Sequence, residues 1–123
     1  EDFNGRWNPV GGTGWEDQIK QDVTLDFVGV ELQGDDPEAL ADLWAKCTDL
    51  PLEHDAAGSP TIGFNNVVLR FVPAADGRGP GLGGLDIAVA DREHILREAK
   101  ARKAYVSDDQ VNICGTRWYL KDA

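Results

Sequence analysis

The sequence predicts an α+β fold built from a duplicated unit, because nearly the same order of elements appears twice. Residues 25–73 begin with an alternating strand, continue with an acidic helix cap and a helix, and end in a hairpin. Residues 83–122 repeat that order. At 123 residues the chain suits one domain, so the two copies should form half-sheets that share a concavity, where ligands commonly bind.

Both opening strands alternate between apolar and other residues. In the first, Val28, Val30 and Leu32 share one face, and the opposite face carries Phe27, Gly29, Glu31 and Gln33. In the second, Leu85, Ile87 and Val89 share one face with Asp86 opposite. Successive side chains of a strand point to opposite sides of its sheet, so each strand has one apolar and one polar side.

Each helix has its own cap and apolar positions. Asp36 is a good N-cap with Pro37 at the first helical position, and an apolar stripe follows at Leu40, Leu43, Trp44 and Cys47. The second helix is predicted over residues 92–103, with core contacts at Ile95, Leu96 and Ala99. Cys47 falls on the first stripe, which predicts a buried, free thiol.

Each copy closes on a hairpin. Asn65-Asn66 suits a type I′ turn, and the second hairpin should turn near Cys114-Gly115. On the closing strands the apolar face is predicted to hold Val67, Leu69, Phe71, Trp118 and Leu120, and the opposite face Val68, Arg70, Val72, Arg117, Tyr119 and Lys121.

These alternations locate a candidate ligand site. The helices must cover the apolar faces, since no other long amphipathic segment is present, and the opposite faces then form the concavity. The candidate ligand-binding residues are Phe27, Glu31, Arg70, Asp86, Arg117 and Tyr119. Two acids, two guanidinium groups and a phenol can orient a small organic or anionic ligand. Alternatively, they pair with one another or face solvent.

Composition limits the partners. The chain has 22 acidic and 12 basic residues and a net charge of −10, which repels nucleic-acid phosphates and anionic lipid. No apolar run approaches the roughly 18 residues of a membrane span.

With only two cysteines we expect free thiols and a cytoplasmic location. No methionine is present, even at position 1, which suggests that residues precede Glu1 in the parent protein. Residues 1–24 should form an arm or a linker to an upstream domain.

Several motifs predict no chemistry. Residues 79–84 satisfy G-x-G-x-x-G, but a strand follows them instead of the helix that a dinucleotide site requires, so they should join the modules. His54 and His94 have no partner at metal-ligand spacing and are interpreted as surface residues. No nucleophile elbow is present.

The two copies resemble the vicinal oxygen chelate superfamily, which includes glyoxalases, bleomycin-resistance proteins and extradiol dioxygenases. The resemblance rests on residues 27–32 followed by residues 36–44, and on residues 111–117, and it covers about residues 25–122. It implies two tandem βαβββ modules, about 25–73 and 83–122, that form a cupped mixed sheet with the helices on its convex face. Members of the superfamily often form dimers.

The resemblance also implies where a metal would be bound. The family's metal-ligand positions correspond to Phe27 and Asp86 on the opening strands and to Arg70 and Tyr119 on the closing strands. Phenylalanine cannot bind a metal ion, and arginine places a cation where the ion should lie. We therefore expect no metal and no cofactor.

Three functional hypotheses follow, and the sequence leaves open whether the protein is an enzyme. The first is a glyoxalase-like domain that binds a small molecule without metal, with Arg70 and Arg117 holding an anionic or carbonyl group. The second is a metal-dependent lyase or dioxygenase whose ligands come from another segment or chain. The third is a docking or homodimerisation module of a larger protein.

Overall fold

The computed structural model describes residues 14–123. Residues 1–13 of the predicted arm lie outside the described residues. The rest of the arm contains a short 3-10 helix, Gly14–Gln18, and ends where the first strand begins at Thr24. Within residues 14–123, no helix has the length and apolar character needed to span a membrane.

The duplication is confirmed. The first module consists of β1 (Thr24–Gly34), α1 (Pro37–Thr48), β2 (Glu53–His54), β3 (Pro60–Gly63) and β4 (Val68–Pro73). The second consists of β5 (Gly81–Val89), α2 (Arg92–Ala101), β6 (Tyr105–Ser107), β7 (Gln110–Ile113) and β8 (Thr116–Asp122). Each module is therefore a βαβββ unit, and the connector between them is residues 74–80.

All eight strands form one mixed sheet in the order β2-β3-β4-β1-β5-β8-β7-β6. In each module the opening and closing strands are parallel neighbours, β1 with β4 and β5 with β8. The two opening strands pair antiparallel with each other and join the modules at the centre of the sheet. The central strands β4, β1, β5 and β8 therefore bring residues of both modules side by side.

Both helices cover the same face of this sheet. The first core contains Ala41 of α1 with Ile62, Leu69 and Phe71, and Val30 packs against it. In the second core Ile95 and Leu96 of α2 pack on Ile87, Val89 and Leu120. Val30 pairs with Leu85, and paired residues share a face. Leu85 is two residues from Ile87 on β5, so these two residues share that face as well. The opposite, helix-free face is called the concave face below.

The buried side of α1 differs from the predicted stripe. Ala41 is fully buried, whereas Leu43, Trp44 and Cys47 are exposed, although the Trp44 ring still packs against Phe71. Ala41 belongs to the buried core of the first module, and Leu40 of the predicted stripe and Ala45 pack against that core. The predicted burial of Cys47 is therefore wrong, while the prediction that Cys47 and Cys114 are free thiols is confirmed.

The capping and turn predictions have mixed outcomes. The Asp36 side chain accepts a hydrogen bond from the backbone N–H of Ala39 at 3.1 Å, as expected of an N-cap. Cys114 and Gly115 have φ values of 54° and 74°, which suits the predicted two-residue turn. Asn65-Asn66 does not form a type I′ turn, because neither residue is among those with positive φ in residues 14–123.

Candidate functional site

Glu31 lies at the centre of a buried polar cluster on the concave face. Its side chain is on β1, and the residue is only 4% exposed. Oε1 accepts hydrogen bonds from Arg117 Nε at 2.8 Å and from the Tyr119 hydroxyl at 3.1 Å. Oε2 accepts from Arg70 Nη2 at 3.2 Å. A carboxylate of the first module thus holds side chains from β4 and β8.

Arg70 also pairs with Asp86, which is 6% exposed. Arg70 Nη1 donates to Asp86 Oδ2 at 2.8 Å and Nη2 donates to Oδ1 at 3.1 Å, a bidentate arrangement. The guanidinium carbon lies 5.1 Å from the centre of the Tyr119 ring. The structure therefore brings together five of the six predicted residues: Glu31, Arg70, Asp86, Arg117 and Tyr119.

Two further residues complete the cluster. Gln33, which is 1% exposed, accepts a hydrogen bond from Arg117 Nη2 at 2.8 Å. Its Nε2 donates to Asp76 Oδ1 at 2.9 Å, and Arg117 Nη1 donates to Asp76 Oδ2 at 3.0 Å. Gln33 shares the parity of Glu31, which could have identified it. Asp76 lies in the glycine-rich connector, where no periodicity predicts a side-chain direction.

Glycines at the β1–β5 seam leave room for the polar side chains. A Cβ at Gly29 would overlap the Asp86 carboxylate and lie 2.8 Å from its Cγ. A Cβ at Gly83 would overlap Arg117 Nη2 and lie 3.0 Å from Gln33 Oε1. The cluster therefore lies flat against the sheet, and these glycines are another signal of the site that the sequence pattern did not reveal.

Electrostatics fix the charge states of the cationic and phenolic groups. Burial by itself would lower the pKa of Arg70, but hydrogen bonds and charge from Asp86, and then from Glu31, outweigh it and raise that pKa. The pKa of Arg117 is raised because Glu31 likewise outweighs the effect of burial. Burial, followed by the negative charge of Glu31, raises the pKa of Tyr119, which favours the neutral phenol.

Phe27 does not join the cluster, and its predicted position is wrong. It pairs with Ile87, whereas Gly29 pairs with Asp86, so Val28 is the extra residue of a β-bulge. The bulge shifts the parity by one and turns Phe27 to the helix-covered face, where its ring is 6.1 Å from that of Trp118. Phe27 is 55% exposed and borders an apolar cavity of about 280 Å³ on that face.

A second cavity opens on the concave face directly above the polar cluster. Its volume is about 290 Å³, and its lining consists of Glu31, Val72, Pro73, Ala75, Asp76, Arg117 and Tyr119. The floor is formed by the buried Glu31 and the partly buried Arg117 and Tyr119, and one wall is formed by the connector. This geometry can accommodate a small molecule and offer it both hydrogen-bond donors and acceptors.

The residues of this face do not fit a divalent metal ion. Asp86 is already held in two hydrogen bonds by the Arg70 guanidinium, which occupies the space between Asp86 and Glu31. Phe27, at another position where the resemblance would place a metal ligand, lies on the opposite face. Among residues 14–123, no group of three His, Cys, Asp or Glu side chains is arranged to hold a metal.

The remaining motifs lie outside this site. Gly81 to Gly84 belong to β5, so the G-x-G-x-x-G pattern joins the modules and leads into a strand. His54 Nε2 lies 2.8 Å from Glu38 on the protein surface. The His94 ring lies in the first turn of α2 and has Arg97 as a neighbour at 3.3 Å.

Comparison with solved structures identifies the fold. A methylmalonyl-CoA epimerase from Mycobacterium tuberculosis superposes with a TM-score of 0.61 at 12% identity, covering 83% of this chain and 90% of the epimerase chain. A glyoxalase/bleomycin resistance protein/dioxygenase superfamily member from Vibrio splendidus 12B01 superposes with a TM-score of 0.52 at 14% identity, covering 80% of this chain and 100% of the Vibrio chain. The chain has the vicinal oxygen chelate fold. No family model matches the sequence, and no curated protein matches it.

Proposed function

We propose that this protein is a glyoxalase-like domain that binds a small organic molecule in the concave cavity without a metal ion. The observation that carries this proposal is a buried charged cluster whose Glu31, Arg117 and Tyr119 form the floor of an open cavity of about 290 Å³. In this function Arg117 and Tyr119 orient the polar end of the ligand, while Val72 and Pro73 contact its apolar part.

The cluster's energetics support a binding role. Buried ion pairs lose hydration, and well-packed apolar residues often replace them with no loss of stability. The buried charges of this cluster are therefore weak evidence for a purely stabilising role. Three of the cluster residues, Glu31, Gln33 and Asp86, are nearly inaccessible to solvent. Glu31 and Gln33 orient Arg117 at the cavity floor, and Glu31 also holds the Tyr119 hydroxyl. Asp86 holds Arg70 over the Tyr119 ring. A specific ligand site requires side chains positioned in this way.

The binding role is tested by titrating isotopically labelled protein with a panel of small amines, amides, alcohols and carboxylates. We expect at least one class to shift the Nε–H resonances of Arg70 and Arg117, with that of Arg97 on α2 as the control in the same spectra. Tyr119→Phe and Arg117→Lys should weaken binding, and Arg97→Lys should not. The proposal is rejected if no compound in the panel shifts the Nε–H resonance of Arg70 or of Arg117.

Independence from metal is tested with the same ligand. Treatment with a strong chelator should leave its affinity unchanged, because Arg70 supplies the positive charge between the two carboxylates. If chelation abolishes binding and added Zn²⁺, Ni²⁺, Mn²⁺ or Fe²⁺ restores it, the metal-dependent lyase or dioxygenase hypothesis replaces this one.

A second candidate function, self-association, is supported by the apolar cavity beside Phe27. The cavity lies on the helix-covered face and is lined by Thr24, Phe27, Ile87, Ile95, Val111, Ile113 and Trp118. Phe27 and Ile113 are about half exposed, so a second copy could bury both. Sedimentation should then show a dimer that Ile113→Asp disrupts and that the control Val106→Asp, on edge strand β6, does not. A monomeric wild type excludes this function.

A further inference from the structure

We infer that the ligand of the concave cavity carries a carboxylate, and that this group replaces the side chain of Asp76. The inference rests on the proposed binding function and specifies its ligand class. It is drawn from a pair of donors, Gln33 Nε2 and Arg117 Nη1, which we call the carboxylate clamp. Each donor binds one oxygen of the Asp76 carboxylate, at 2.9 and 3.0 Å respectively.

The strands of the sheet hold both donors of the clamp in position. Gln33 is on β1 and Arg117 is on β8, and both are held by partners other than Asp76. Arg117 Nε donates to Glu31 and Arg117 Nη2 donates to Gln33 Oε1. Because a guanidinium only donates, the Gln33 atom facing it must be its oxygen, and the amide N–H groups must point away from it toward Asp76 and the Gly79 carbonyl. The two donors are therefore positioned by the sheet itself.

Asp76, by contrast, belongs to the connector rather than to the sheet. Its carboxylate also accepts hydrogen bonds from the side chain and the backbone N–H of Arg78, two residues along. Arg78, and after it Gln33, hold the pKa of Asp76 well below its usual range, so the group is an anion at neutral pH. Gly77 and Gly79, on either side of Arg78, both have positive φ. Asp76 is thus a surface group that fills a clamp made by the buried Gln33 and the partly buried Arg117.

The position of Asp76 links it to the cavity. Asp76 and Ala75 form a wall of the same 290 Å³ cavity whose floor contains Arg117 and Tyr119. A ligand carboxylate entering this cavity can accept the same two hydrogen bonds, and Asp76 can keep its bonds to Arg78 as the connector moves outward. The exchange preserves charge at the clamp, because one carboxylate replaces another. Asp76 therefore acts as an internal competitor.

The experiment compares wild type with Asp76→Ala and Asp76→Asn, using acetate and propionate as probes at constant ionic strength with chloride as the reference anion. Because a tethered group competes at an effective concentration in the millimolar range or above, its removal should tighten probe binding about tenfold. Asp35→Asn, an equal charge change at an exposed residue, should have no effect. The side-chain amide resonances of Gln33 should report the binding.

Further variants separate the possible results. Gln33→Met in the Asp76→Ala background removes one clamp donor and should abolish the gain. Equal carboxylate affinity in wild type and both Asp76 variants would overturn the inference. If amines or neutral polar molecules shift Arg117 while carboxylates do not, the inference fails and the proposed binding function stands. If no probe of any class shifts Arg70 or Arg117 in any variant, the binding function itself fails.

Discussion

Arg70 and Asp86 form a bidentate ion pair that crosses strand β1 and joins the two modules. Arg70 is on β4, the last strand of the first module, and Asp86 is on β5, the first strand of the second. Gly29 of β1 pairs with Asp86, and the absence of a side chain there leaves room for the Asp86 carboxylate. The duplicated units are thus connected on the concave face by charge as well as by the pairing of β1 with β5.

The absence of a side chain at Gly29 should be essential for the stability of the fold. Gly29→Ala would place a methyl group against the Asp86 carboxylate, and we expect a loss of about 2–3 kcal/mol in the free energy of unfolding from overpacking and displacement of the ion pair. Gly63→Ala is the control, because no described atom lies within 4 Å of the added Cβ, and it should change stability by less than about 0.5 kcal/mol. Urea unfolding measures both, and equal losses would contradict this account.

The Arg70–Asp86 pair should behave as a coupled unit. Asp86→Ala leaves a partly buried guanidinium without its main partner and should cost about 3 kcal/mol. Arg70→Leu combined with Asp86→Leu should recover at least half of that loss, because Glu31 retains Arg117 and Tyr119. Removing the exposed Lys46–Asp42 pair by Asp42→Ala should leave the free energy of unfolding nearly unchanged. Additive effects in a double-mutant cycle of Arg70 and Asp86 would argue against the coupling.

Tyr119 should make stability depend on alkaline pH. Its pKa is higher in the folded protein than the usual value of 10.0, because burial and Glu31 disfavour the phenolate. This contribution is fully present below the unfolded pKa and is lost as the pH rises through the higher folded pKa. The free energy of unfolding should therefore fall less between pH 9 and pH 11 in Tyr119→Phe than in wild type. Tyr105→Phe is the comparison variant: the hydrogen bond to Asp108 also raises the pKa of Tyr105, but this phenol is exposed and solvent screens the interaction, so the variant should follow wild type more closely.

Replacing Arg70 should convert the ion-pair cluster into a metal site. Arg70→His removes the permanent cation and places an imidazole beside Glu31 and Asp86, a combination of nitrogen and oxygen ligands that suits Zn²⁺ or Ni²⁺. We expect this variant to retain about one equivalent of metal after dialysis, measured by elemental analysis. Arg97→His on α2 is the control and should retain none. Stoichiometric metal in the wild type would contradict the role assigned to Arg70.

The alternation of residues along the strands was sufficient to predict most of the polar cluster on the concave face. Each of five polar residues is followed or preceded in its strand by an apolar residue that points to the other face of the sheet. The structure places all five on the concave face: Glu31, Arg70, Asp86, Arg117 and Tyr119. The duplication and the N-caps were likewise visible as local patterns. These features depend on the period of the strand and on hydrogen bonds between residues close in sequence, so the chain itself determines them.

Other features were decided only by the tertiary structure. Phe27 has the parity of Glu31, but pairing with β5 accommodates an extra residue at Val28 and turns the ring to the other face. Asp76 meets Gln33 and Arg117 only because the connector folds back over the sheet. Ala41 rather than Leu43 is buried because α1 turns its Ala41 side toward the core of the first module. A bulge, a connector path and a helix rotation arise from contacts distant in sequence. Local periodicity therefore carries no information about them.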